Sequence, residues 1–351
     1  MALKVLSFGA SYGSLLGMKI ALAGHDIDLI CLPHEVEAFN LHGAIVRVPI
    51  RGRQGLLELN SSRARGLLRA IHPWEFNPSD YDLVILAMQE PQYRHEAVKR
   101  ALLQVALAGL PCMSIMNMPP LSYLKRVLGA LAEVTRGAYV NAELWDAFDP
   151  DLMTLCSPDA QAFRPSGESV NTLQVRLPTN FKAARFDHPD WASCLEGLAN
   201  DIDAYRFFED DQSIDVPVKL RVYESGFVPM AKWPMLITGN YRCVLDQSVC
   251  SIKDAVHTDL AESERIYEWV CELCIKLGAS SEDLVSFQKY AKASDQLLTP
   301  SSAARALASG VSSIERVDRV VQLLAQKVGH SGAVIDQIVS RVDGWIGRNK
   351  T

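Results

Sequence analysis

No apolar run in this 351-residue chain approaches the roughly 20 residues that a membrane-spanning helix needs, so no transmembrane segment is expected. Nor is there a long tract of lysine and arginine. The net charge of -6 is spread along the sequence, which argues against a surface for nucleic acid. The chain passes from Met1 into a strand-like segment without a charged leader and cleavage site, and a cytoplasmic location is the expectation. Its eight histidines show no metal-ligand spacing and no Gly-x-Ser-x-Gly elbow occurs, so a metalloenzyme or hydrolase has little support and no metal site is expected. The eight cysteines are scattered, mostly in apolar surroundings, and read as reduced core thiols. Cys271 and Cys274 have redox or metal spacing, but they sit inside the helical stretch 262–277 with no second pair, and a structural role is expected.

A composition of 48% hydrophobic and 22% charged residues is that of an ordinary globular protein, and the length suffices for two domains. From Lys4 to Gly17 a short apolar strand, a cluster of small residues and an apolar helix follow one another. A dinucleotide-binding domain opens in this way, because a pyrophosphate rests against free N–H groups at a helix N-terminus. The usual G-x-G-x-x-G is incomplete in both frames: Gly9/Ser11/Ser14 keeps only the first glycine, and Phe8/Ala10/Gly13 only the last. Gly9, Ala10, Ser11, Tyr12 and Gly13 are candidate cofactor-binding residues, as are Gln89 and Asn117 further along, and the competing reading of the turn is an ordinary α/β connection.

Strands and helices alternate through the first half: strand 4–8, helix 14–23, strand 28–31 and a helix through 35–41. Further strands are predicted at 83–87, 112–116 and 137–140. The first two end where Gln89 and Asn117 appear, and ligands of doubly wound sheets collect beyond strand carboxyl ends. Residues 152–186 look like antiparallel strands, and 190–205 like one more helix. Beyond the acidic connector Glu209-Asp210-Asp211 the pattern turns helical, at 235–245, 260–277, 284–292, 302–308, 314–328 and 333–346. The expected fold is an α/β Rossmann-like dinucleotide-binding domain over residues 1–212, followed by an all-α substrate domain over 213–351, with the active site in the cleft.

These landmarks, in this order, resemble the ketopantoate reductase (2-dehydropantoate 2-reductase) family over nearly the whole chain. The family's Ala-x-x-x-x-Gly is here Ala38 to Gly43. Its Asp-hydrophobic run-Lys-x-x-Gln is here Asp82 to Gln92, with Gln89 in place of the lysine. Its Asn-Gly-x-Gly turn keeps only the asparagine, Asn117, which in the family faces cofactor and substrate. A Trp-x-Lys-Leu segment, whose lysine is the family's general acid, aligns with Lys232 to Asn240 and puts Met235 at the lysine. The later asparagine is kept as Asn240. Near the C-terminus the serine pair Ser301-Ser302 and Gly310 fall in register, the first aspartate is Ala306, and the glutamate is recovered as Glu315 by a slip of one residue.

The resemblance implies an NAD(P)H-dependent oxidoreductase acting on a small-molecule carbonyl or imine, with ketopantoate disfavoured because three residues that would meet it are changed. The alternative is a non-catalytic dinucleotide-binding or sensor protein on the same fold. Reduction of a carbonyl needs a proton donor as well as hydride. Lys232, three positions before Met235 and just outside a helix starting near Pro234, is the candidate donor; its plainer reading is a solvated surface lysine. Asn240 is a second catalytic candidate, or else an interhelical amide. Ser302 and Glu315 are candidate substrate ligands, or else a helix N-cap and a capping box with Ser312. NADP is slightly favoured over NAD by the resemblance, although Leu32 stands where the family's arginine would meet the 2′-phosphate. The expected assembly admits a homodimer without requiring one.

Overall fold

The structure, a computed structural model, describes residues 2–350. Two compact units divide the chain. One comprises residues 1–88, 92–116 and 146–224; the other takes in 89–91, 117–145 and 225–351. A single cut at 212/213 does not make this division, because the stretch 117–145 lies among the C-terminal helices and residues 220–223 still belong to the sheet.

The first unit is built on an eight-stranded sheet. Its strands are β1 (Lys4–Phe8), β2 (Asp26–Ile30), β3 (Leu68–Ile71), β4 (Leu83–Leu86), β5 (Cys112–Ile115), β6 (Met153–Ser157), β7 (Phe181–Ala184) and β8 (Leu220–Tyr223). They lie in the order β3-β2-β1-β4-β5-β6-β7-β8. The pairs from β3 to β6 are all parallel, β7 turns antiparallel against β6, and β8 runs parallel to β7. The order 3-2-1-4-5-6 over the first six strands is that of a Rossmann sheet. The near-continuous apolar runs are the mark of strands covered on both faces; every residue of β4, β5 and β6 is buried. A smaller sheet pairs strands Leu56–Asn60, Ile45–Pro49, Thr172–Leu177 and Gln161–Phe163. The antiparallel pattern expected over 152–186 therefore holds only in part, since β6 extends the parallel sheet.

Helix α1 (Tyr12–Ala23) is buried from Gly13 to Leu22, because the helix Pro189–Ala204 covers the side away from the sheet. One of its buried residues is Lys19, whose Nζ donates to the Val216 carbonyl at 2.8 Å. Burial pushes this ammonium down to about 7, the nearby charge of Lys219 adds to the effect, and Asp215 and Asp203 oppose it.

The second unit is helical. Its longest helices are Leu260–Lys276 and Ala333–Arg348, and Val317–Lys327 packs on the 3-10 stretch Gly129–Ala138. The strand predicted at 137–140 is absent: its first residues end that 3-10 stretch, whose tight turns bury Ala132, Thr135 and Ala138 on one side. The helix predicted over 235–245 is a π-helix, Leu236–Tyr241, and the one predicted at 314–328 begins only at Val317. Among the described residues no helix is long and apolar enough to cross a membrane.

Candidate functional site

In the sheet unit, β1 ends at Phe8 and the chain turns into α1 through Gly9, Ala10 and Ser11. Gly9 has φ +101°, a conformation that disfavours any side chain, and a Cβ there would lie 2.8 Å from the Ala87 carbonyl oxygen. Gly13, in the first turn of α1, rests on the strand: a Cβ would come within 2.7 Å of Ser7 Oγ. The tight turn and the close helix-to-strand packing that the fingerprint's first and last glycines provide are thus both present, four residues apart instead of five. Ser11, the N-cap of α1, makes no side-chain capping bond and is exposed. Tyr12 Oη donates to the Ala160 carbonyl at 3.2 Å.

Beyond β2, Leu32 is 59% exposed and starts the helix Pro33–His42. The acid of that turn, Glu35, accepts from the Leu32 N–H at 2.9 Å and pairs with Arg164 at 2.5 Å.

The helical unit contains a pocket whose polar lining is Gln89, Asn117, Asn240, Tyr241, Ser302 and Glu315, with Leu236, Ala303 and Ile314 between them. Its cavity volume is about 20 Å³, room for little more than one water-sized group. Leu236, Asn240 and Tyr241 come from the π-helix, whose wide turn puts residues four and five apart on one side. Ser301, and not Ser302, is the N-cap of the helix Ser302–Ala308: its Oγ accepts from the Ala304 N–H at 3.1 Å and donates to the Asn240 carbonyl at 2.7 Å. Ser302 is left exposed at the first helical position.

Glu315 lies in the non-helical segment before Val317, so it forms no capping box with Ser312. The segment is clamped from two sides. Tyr241 Oη donates to the Glu315 carbonyl at 2.6 Å and accepts from the Val317 N–H at 3.0 Å, while the Arg316 N–H meets Met118 Sδ at 3.3 Å. Glu315 is 8% exposed and its Oε1 is buried without a hydrogen-bond partner. Burial pushes the carboxyl up to about 7; the charge of Glu90 adds to this, and hydrogen bonding to the carboxyl from the Glu90 and Met118 backbone and the Asn117 side chain pulls the other way. Arg316 next door is committed elsewhere, to Asp318 at 2.9 Å and Asp343 at 2.8 Å.

The structure thus brings together Gln89, Asn117, Asn240, Ser302 and Glu315. Lys232 and Met235 are half-buried and do not line this pocket; Lys232 closes the 3-10 turn Pro229–Lys232, and the Met235 carbonyl accepts from Tyr290 Oη at 3.1 Å. Two residues escaped the sequence reading. Glu90, 1% exposed, accepts from the Val140 and Asn141 N–H groups at 3.1 and 3.4 Å, and Tyr241 holds the Glu315 segment. Glu90 adjoins Gln89 in a segment already singled out; nothing in the local pattern marks Tyr241. Cys271 and Cys274 are free thiols on the helix Leu260–Lys276, and burial raises both above the usual thiol range.

No family model matches the chain, and no curated protein matches it in sequence. Solved structures do match along its whole length. The 2-dehydropantoate 2-reductase from Methylococcus capsulatus is 11% identical with a TM-score of 0.69, over 99% of this chain and 98% of that one. D-mandelate dehydrogenase, in a ternary structure with NADH and anilino(oxo)acetate, is 13% identical with a TM-score of 0.66, over 99% and 100%. The dimeric ketopantoate reductase from Staphylococcus aureus is 9% identical with a TM-score of 0.59, again over 99% and 100%. The fold of this chain is that of the ketopantoate reductases.

Proposed function

We propose that this protein is a divergent member of the ketopantoate reductase family, an NAD(P)H-dependent oxidoreductase that reduces a small carbonyl or imine substrate other than ketopantoate. The observation that carries this reading is the convergence in one pocket of Gln89, Asn117, Asn240, Ser302 and Glu315. They come from five separate stretches of chain and from four motifs, Ser302 and Glu315 sharing the C-terminal one. Ordinary surface chemistry gives no reason for five such positions to meet.

In the sheet unit, the residues from Gly9 to Gly13 fit a dinucleotide: the glycines that let a backbone approach are held small by the fold, and no side chain caps the N–H groups opening α1. A reduced nicotinamide, when bound, supplies hydride. Gln89 and Asn117 are assigned to the cofactor, and Asn240 and Ser302 to hydrogen bonds with the substrate. With Gln89 and Met235 in the places of two lysines, no cation from those positions meets an anionic 2-oxo acid, which favours an uncharged polar substrate. A homodimer is the proposed assembly, by likeness to the dimeric Staphylococcus aureus structure.

Titration with NADPH and with NADH, followed by nicotinamide fluorescence, should show saturable binding of at least one. A panel of small ketones, 2-oxo acids and imines should then show oxidation of the reduced dinucleotide with one or more of them. Ketopantoate should turn over about 10²–10⁴-fold more slowly than with an enzyme that keeps the lysine donor. Failure to bind either dinucleotide would overturn the cofactor assignment. Binding without turnover anywhere on the panel would make the protein a sensor, and rapid ketopantoate reduction would overturn the change of substrate.

A further inference from the structure

We infer that Glu315 is the proton donor of the reaction, a protonated carboxyl that takes the place of the missing lysine. The inference rests on the reductase reading above and adds to it a catalytic acid. The geometry carries it. Glu315 is more than nine-tenths buried, lines the pocket, and presents an Oε1 that no group of the protein hydrogen-bonds. A carboxylate in that position would be costly, whereas a carboxylic acid has an O–H to give to a ligand.

The charged and titratable groups around it favour the acid. Glu90 is a second buried acid whose charge opposes ionisation of Glu315. Tyr241, pushed well above its ordinary value by burial, stays a neutral phenol and spends its proton on the Glu315 main chain. Arg316 is held by Asp318 and Asp343 and brings no compensating charge. Burial, with the charge of Glu90 adding to it, outweighs the hydrogen bonds from the Glu90 and Met118 backbone and the Asn117 side chain and pushes the carboxyl up to about 7, where a general acid holds its proton in a large share of molecules at neutral pH and can still release it. Asn117, also in the lining, has a buried Oδ1 without a hydrogen-bond partner, so the pocket offers a ligand an acceptor next to the donor.

The step balances. A bound reduced dinucleotide would supply the hydride for the carbonyl carbon, and the π pair of the C=O bond would become the new O–H bond with the Glu315 proton. The products would be an alcohol, an oxidised nicotinamide and a Glu315 carboxylate, which solvent reprotonates.

Carbon-13 NMR of the glutamate carboxyls in the free protein should show one carboxyl titrating near neutral pH that is missing in E315Q. With a substrate found, wild-type kcat should fall as pH rises through the same range. E315Q should lose about 10²–10⁴-fold in kcat with dinucleotide affinity intact, and E315D should recover part of it. Circular dichroism of E315Q checks that it folds; if it does not, the wild-type titration and pH profile decide. Titration of Glu315 in the ordinary carboxylate range, or loss of turnover in K232M while E315Q keeps it, overturns the inference and leaves the reductase reading standing. A wild type that binds dinucleotide but reduces nothing overturns that reading, and the donor role with it.

Discussion

Gly9 and Gly13 are kept small by different neighbours, and the difference can be measured. At Gly13 the obstacle is Ser7 Oγ, a buried hydroxyl without a hydrogen-bond partner; at Gly9 it is the Ala87 backbone, together with φ +101°. Gly13→Ala should destabilise the protein by about 1–3 kcal/mol, and Ser7→Ala in the same molecule should recover most of that loss. Ser7→Ala alone should be neutral or slightly stabilising, since it removes an unsatisfied buried hydroxyl. Gly9→Ala should not respond to Ser7→Ala at all. Urea denaturation of the five proteins checks the set, and dinucleotide titration of the folded variants shows whether the same positions matter for binding. At this scale the sequence was informative where chemistry is local: the small residues of the turn and the polar candidates from four motifs stand in its plain text. It was silent where chemistry depends on burial, as for Glu90, Tyr241 and the raised carboxyl of Glu315.

The element that shapes the pocket is the π-helix Leu236–Tyr241, and its effect passes through one phenol. Removing the Tyr241 hydroxyl leaves the Glu315 carbonyl and the Val317 N–H without their partner in a buried place. Tyr241→Phe should therefore cost about 1–3 kcal/mol of stability by chemical denaturation, with the phenyl packing kept. If Glu315 acts as proposed, kcat should fall as well, because the segment that aims its side chain is released. The regular elements were legible because their signals are repetitive. The strand Leu83–Leu86 is an unbroken apolar run, and Ser302–Ala308 and Leu260–Lys276 follow a 3.6-residue period closely, whereas the parallel strand Leu68–Ile71, interrupted by Arg69, was not predicted. The π-helix was not, since one extra residue per turn leaves an apolar stretch looking α-helical. The 3-10 stretch Gly129–Ala138 was missed for a related reason: the short apolar run at 137–140 satisfies a strand pattern as well as a tight turn does.

Across the whole molecule two buried ionisable groups, one in each unit, work against stability from opposite sides of neutrality. Lys19 has a lowered value in the fold, about 7 against 10.5, so the unfolded chain binds the extra proton between these limits and stability rises with pH from about 7 to 10.5. Glu315 has a raised value, about 7 against 4.5, so the folded chain holds the extra proton there and stability falls as pH rises from 4.5 to about 7. At about 1.4 kcal/mol per pKa unit the two effects are on the order of 5 and 3 kcal/mol, and both are at or near full strength at neutral pH. Denaturation measured from pH 5 to 10 should show this minimum superposed on the other titrations. Lys19→Met should flatten the alkaline limb, and Glu315→Gln the acid one.

The division of the chain also bears on the order in which the protein is made. The polypeptide passes from one unit to the other five times, and residues 117–145 reach their helical partners only when 225–351 have been synthesised. The 3-10 stretch Gly129–Ala138, which packs on Val317–Lys327, must wait about 180 residues for that helix; at roughly 5–20 residues per second this is on the order of ten to forty seconds. During that interval the face bearing Ala132, Thr135 and Ala138 lacks the helix that covers it, so the second unit cannot finish packing until its last helices are made.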